Sequence, residues 1–123
     1  METILIADDS STARMIIRKC LEIIGFSDSV FLEAENGREA LKIIKNNSVQ
    51  LICTDFNMPV MDGGIFLRWV KGSPKLKDIP VVIITSAGNP AREAELIENG
   101  AYSVIKKPVS PAVISKALNE FLK

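Results

Sequence analysis

The chain predicts an α/β fold: a doubly wound, five-stranded parallel sheet with helices on both faces. Three observations lead there. Apolar runs of strand length alternate five times with segments of helical period. Several of those runs are apolar at consecutive positions, the pattern of strands covered on both faces. Residues able to do chemistry collect just after the strands, the end where such sheets bind ligands. Right-handed crossovers restrict how five βα units can be wound.

The elements follow in order. Residues 3–8 form the first strand, with Ile4, Leu5, Ile6 and Ala7 apolar in succession and Asp8 and Asp9 at its exit. The first helix is read from Ala13, Ile16, Ile17, Cys20, Leu21 and Ile24, which share one helical face; Ser10 or Ser11 caps it and Gly25 stops it. Residues 29–34 form the second strand. Asn36 then caps a second helix, Glu39 is placed to bond back, and Ala40, Leu41 and Ile44 point inward. The third strand, 49–54, runs directly into Asp55. The third helix follows Asp62-Gly63, with Asp62 as its cap and Phe66, Leu67 and Val70 on its inner face. The fourth strand, 80–85, ends in Thr85-Ser86. Asn89-Pro90, a cap followed by proline at the first helical position, opens the fourth helix, which ends at Gly100. The fifth strand, 102–106, delivers Lys107-Pro108. Ser110-Pro111 opens the last helix, with the stripe Ile114, Ala117, Leu118 and Phe121.

At 123 residues the chain fits one domain, 1–123. Fifteen basic and fifteen acidic residues cancel, so no broad field favours nucleic acid or an acidic membrane surface. No apolar run approaches the ~20 residues that span a bilayer. The first residues enter a strand without a basic segment or apolar signal core, so the expected location is cytoplasmic. Cys20 and Cys53 lie in apolar runs, with no metal-ligand spacing and no His, and read as small buried thiols in a reducing compartment.

The strand ends bring acid, acid, hydroxyl and ammonium to one edge. A carboxylate where a buried strand meets a loop is costly unless something binds it. Two carboxylates ~5 Å apart repel by roughly 3 kcal/mol at an effective dielectric of about 20. Three of them raise one another's pKa unless a cation intervenes. A hard divalent cation suits oxygen ligands, and with that charge neutralised a carboxylate is a competent nucleophile toward phosphorus. Plainer roles stand beside these: Asp8 and Asp9 could cap a helix, Asp55 could shape a turn, Thr85 could be a β residue, and Lys107, like Lys106, could be solvated.

The segments ADDS at 7–10, DFNMPVMDG at 55–63, VVIITSA at 81–87 and KKP at 106–108 favour the chemical roles. With them in this order, the chain resembles the receiver domains of two-component response regulators, most of all the CheY-like chemotaxis type. The resemblance spans essentially the whole chain. It implies a flavodoxin-like strand order of 2-1-3-4-5 with five helices. It implies that Asp55 is the phosphoacceptor, and that Mg²⁺ is held by Asp8, Asp9, Asp55 and the backbone carbonyl of Asn57. Lys107 and Thr85 would receive the phosphoryl oxygens, and the Lys107–Pro108 bond would be cis. The implied partners are a sensor histidine kinase as phosphodonor and a protein target on the face made by the fourth helix, fifth strand and fifth helix. No nucleic acid or membrane is expected, and the chain would be a monomer or weak dimer. It would be a switch rather than an enzyme, with self-phosphorylation and self-dephosphorylation its only chemistry. A stand-alone regulator is the favoured context, with a module of a larger regulator as the alternative.

The chain departs from the family pattern at its switch residues. Members often carry an aromatic three residues before the lysine; here Val104 stands there, and Tyr102 lies two residues earlier on the same strand face, ~7 Å farther away. The expected signal route is therefore backbone movement near Thr85 and the fourth helix. Ser86 is small enough to admit the phosphodonor, and Asn57 and Ala87 flank the path of attacking water. Ile65 and Trp69 share a face of the third helix away from its inner residues, as peripheral core or as a partner contact. A phosphoaspartate phosphatase would need an acid two residues after the nucleophile, where this chain has Asn57. A flavin-type phosphate cradle fails on the acidic loop ADDSSTA.

Overall fold

Every apolar run of strand length becomes a strand, and all five pair in parallel in a computed structural model that describes residues 2–86 and 89–119. The strands are β1 (Thr3–Ala7), β2 (Val30–Ala34), β3 (Leu51–Asp55), β4 (Val81–Thr85) and β5 (Ser103–Lys106). The helices are α1 (Ser11–Leu21), α2 (Gly37–Asn46), α3 (Gly63–Lys71), α4 (Pro90–Glu98) and α5 (Pro111–Ala117). Strand order is β2-β1-β3-β4-β5, as the resemblance implies.

Alternation along the strands divides the core in two. Leu5, Ile52 and Ile83 point to the face covered by α2, α3 and α4, where Ala40, Leu41, Ile44, Phe66, Leu67, Val70 and Leu96 pack. Ile4, Ile6, Cys53 and Ile84 point to the face covered by α1 and α5, against Ile17, Cys20, Leu21, Ile114 and Leu118. This double cover explains the unbroken apolar runs: every residue of β3 and β4 is buried.

Side-chain caps set the helix starts. Ser10, Asn36, Asp62, Asn89 and Ser110 each accept from the backbone N–H three residues on. Glu39 Oε1 accepts from the Glu35 N–H at 3.3 Å, so its bond back reaches one residue past the cap itself. Pro90 and Pro111 occupy first-turn positions, where no N–H is required.

Two expectations change. Asp55 is the last residue of β3 rather than the residue after it. Ile16, placed on the inner face of the first helix, is exposed, while Phe26 is buried. Gly25 breaks that helix as expected: at φ 125° its backbone is non-helical, and the chain turns there to seat Phe26. Phe121 lies outside the described residues.

Candidate phosphoryl-transfer site

The carboxyl ends of β1 and β3 place Asp8 and Asp55 side by side, because β1 pairs with β3 from Ile4↔Leu51 to Ala7↔Thr54. Each of Asp8, Asp9 and Asp55 offers a carboxylate oxygen within 4.8 Å of the others. Asp8 and Asp55 are buried and Asp9 is exposed, so the cluster has a closed floor and an open mouth. Hard oxygen donors in this arrangement fit a divalent cation such as Mg²⁺.

Asp8 is held at every polar atom. Its Oδ1 accepts the Ser10 N–H at 2.9 Å, its Oδ2 faces Lys107 Nζ at 3.2 Å, and its amide bonds the Ala34 carbonyl at 3.0 Å. Its carbonyl accepts from Arg14 Nη1 at 2.6 Å, while Arg14 Nε meets Glu33 at 2.7 Å. Asp55 Oδ1 accepts the N–H of Phe56 at 2.9 Å and lies 3.5 Å from Lys107 Nζ. Lys107 therefore bridges two of the three carboxylates. It reaches them from the end of β5, where its amide bonds the Thr85 carbonyl at 2.8 Å and its bond to Pro108 is cis.

The electrostatics follow from this packing. Burial pushes the Asp55 carboxyl above its ordinary range, and the Asp8 charge adds to it; Lys107 and the Phe56 amide pull the other way without cancelling the rise. Burial works against the charge on Lys107, but Asp55 and Asp8 overcome it and hold the ammonium above its usual pKa. The site thus carries more negative charge than its one lysine neutralises.

The remaining candidates fall around this centre. Thr85 is fully buried at the end of β4, beside Lys106 in the sheet register. Asn57 is exposed in the loop two residues beyond Asp55, and Ser86 is exposed just after β4. That loop is fixed tightly: Gly63 N–H bonds the Phe56 carbonyl at 2.8 Å, and a Cβ at Gly63 would collide with the Asp55 carbonyl oxygen. Val104 packs into the core against the α2–α4 face, and Tyr102 precedes β5, its amide bonding the Val81 carbonyl at the opposite end of the sheet. Ala87 lies outside the described residues.

A family profile, the response regulator receiver domain, matches residues 4–119. The chain belongs to the response regulator receiver domains. It is 37% identical over 120 residues to a chemotaxis protein CheY homolog of Campylobacter jejuni, covering 97% of this chain and 91% of that one. Chemotaxis protein CheY1 of Helicobacter pylori is also 37% identical, with 97% and 95% covered. The solved structure of chemotaxis response regulator CheY4 of Vibrio cholerae superposes with a TM-score of 0.85 at 30% identity, covering 98% of both chains. Receiver domains work by phosphotransfer and by switching partners, and they generally bind Mg²⁺ in an acidic pocket.

Two contacts in this receiver domain had no signal in the sequence. Arg14 reads as an ordinary polar residue of the first helix, yet it anchors the Asp8 backbone. Arg92 places its guanidinium 4.4 Å from the ring centroid of Phe56, tying α4 to the residue after Asp55. The Arg14 contact spans only the turn from β1 into α1, whereas Arg92 and Phe56 are distant in sequence and are brought together by the fold.

Proposed function

We propose that Asp55 accepts a phosphoryl group from a phosphohistidine of a sensor kinase, and that the phosphorylated form switches binding to a protein target. The P–N bond of the donor breaks, a P–O bond to Asp55 forms, and the leaving imidazole nitrogen takes up a proton. Mg²⁺, held by Asp8, Asp9, Asp55 and the Asn57 carbonyl, would neutralise charge on the transferring group. Lys107, freed from its bridge, pairs with a phosphoryl oxygen, and the Thr85 hydroxyl bonds another. The observation that carries this reading is the meeting of three carboxylates and one lysine at the ends of β1, β3 and β5.

The output face is the α4–β5–α5 side, where a groove of about 770 Å³ is lined by Tyr102, Val104, Lys106 and Val113. Val104 supplies no aromatic to swing inward, so the signal runs through α4, which touches Phe56 by Arg92 and Lys106 by Glu93 at 3.8 Å. The protein acts as a switch in the cytoplasm, with no substrate chemistry beyond its own phosphorylation and dephosphorylation. A phosphatase reading lacks an acid at Asn57. Incubation with acetyl phosphate and Mg²⁺ tests the proposal: mass spectrometry should find one phosphoryl group on the wild type and none on Asp55→Asn. Equal labelling of the two proteins, or labelling indifferent to chelation, would overturn it.

A further inference from the structure

The outer surface of α2 and α3 belongs to neither the phosphorylation site nor the α4–β5–α5 face. Between these helices runs a groove of about 660 Å³. Leu41 and Leu76 form its floor and are nearly buried; Ile65 and Trp69 stand on its wall with 47% and 58% of their surface exposed. Two large apolar side chains left in water on one helical face are a common sign of an anchor site.

Charge says what covers it. The chain is neutral overall, yet α2 and α3 carry Arg38, Lys42, Lys45, Arg68 and Lys71 against a single acid, Glu39. Lys71 is committed, donating at 2.8 Å to the carbonyls of Lys77 and Ile79. Glu39 is turned back to the Glu35 amide. Among the described residues none of the other four cations joins an ion pair. Helix α4 is the opposite, with Glu93, Glu95 and Glu98 against Arg92. The balancing acids therefore sit elsewhere, and this face is positive.

We propose that the α2–α3 groove docks an acidic amphipathic helix of a partner protein. Apolar residues one turn apart on that helix fill the space beside Trp69, and its flanking acids meet Lys45 and Arg68 on the two walls. A groove between two helices takes a third helix along its length more readily than a flat strand. Helix α2 lies over β1 and β2 while α4 lies against β5, so both faces can be occupied at once.

Trp69 is the single tryptophan of the chain, so its emission reports on the groove directly. The probe is a helical peptide with leucines at i, i+3, i+4 and i+7 and glutamates on the flanks. Its controls are a twin with lysine in place of glutamate, and single-stranded oligothymidine. The acidic peptide should shift Trp69 emission saturably, and Lys45→Glu with Arg68→Glu should weaken binding at least about tenfold. Ile65→Glu should weaken it too, with circular dichroism confirming that each variant folds. No saturable shift, or an equal response to the lysine twin, overturns the proposal. Displacement by oligothymidine would make the face a nucleic-acid surface instead. Sedimentation showing self-association that masks the groove would assign it to a second copy.

Discussion

At Asp55 the site holds a tension that its single lysine does not resolve. The carboxyl is raised chiefly by burial and then by Asp8, so the folded state keeps its proton more tightly than the unfolded chain does. In metal-free protein, stability should fall as pH rises from the ordinary carboxylate range through that raised value. Above it, the deficit is constant. Asp55→Asn removes this falling limb. Urea midpoints in chelator should therefore be equal for wild type and variant in acid and higher for the variant at neutral pH. A variant less stable at neutral pH would mean that Lys107 and the Phe56 amide, not burial and Asp8, dominate. The residues of this site were legible because the family motifs are contiguous. Arg14 and Arg92 were not: Arg14 binds a backbone carbonyl, which no motif marks, and Arg92 meets Phe56 across a gap that only the fold closes. Val60 shows another limit: its φ of 68° is disfavoured for a β-branched residue, and it sits in a turn closed by Met61 N–H to the Pro59 carbonyl at 2.7 Å. No residue preference announces a backbone placed there against it.

Among the elements, α4 is lightly held. Leu96 is its only buried residue. Beyond it, Arg92 lies over Phe56 and Glu93 pairs with Lys106, and these two contacts neighbour Asp55 and Lys107 in sequence. A partly exposed cation–π contact is worth about 0.5–1 kcal/mol. Free energy of about 1 kcal/mol shifts a two-state equilibrium about fivefold. Arg92→Ala should therefore cost little stability, yet reduce the change in α4 amide shifts on adding beryllofluoride and Mg²⁺. NMR spectra of the two proteins check this, and an unchanged α4 response would exclude Arg92 from the route. Helix starts were readable from the sequence because each cap is a local hydrogen bond. The end of the first helix was readable too, since Gly25 takes a φ that ends helical geometry; the burial of Phe26 just beyond it was not, because it depends on tertiary packing.

For the whole molecule, cation binding and folding are linked. Only the folded chain brings Asp8, Asp9 and Asp55 within reach of one ion, since they are drawn from two strands far apart in sequence. Mg²⁺ at about a hundred times its Kd should add about 2.7 kcal/mol of stability. For a domain of this size that is a rise in Tm of roughly 10 °C. Differential scanning calorimetry across a Mg²⁺ titration checks it, with Asp55→Asn expected to respond less. A Tm indifferent to millimolar Mg²⁺ would count against the site. The doubly wound class was legible at this scale because consecutive apolar runs occur only where both faces are covered, whereas the strand order came from the family motifs.

The order β2-β1-β3-β4-β5 has a consequence for how the chain leaves the ribosome. No strand has to wedge between two that are already paired. β2 adds to one side of β1, β3 to the other, and β4 and β5 then extend the same edge. The sheet can grow outward in the order of synthesis. The charges, however, arrive out of balance. The three aspartates are in place once β3 has emerged, while Lys107 follows only after β5. Until β5 docks, the acids of β1 and β3 lack the ammonium that pairs with them in the finished fold.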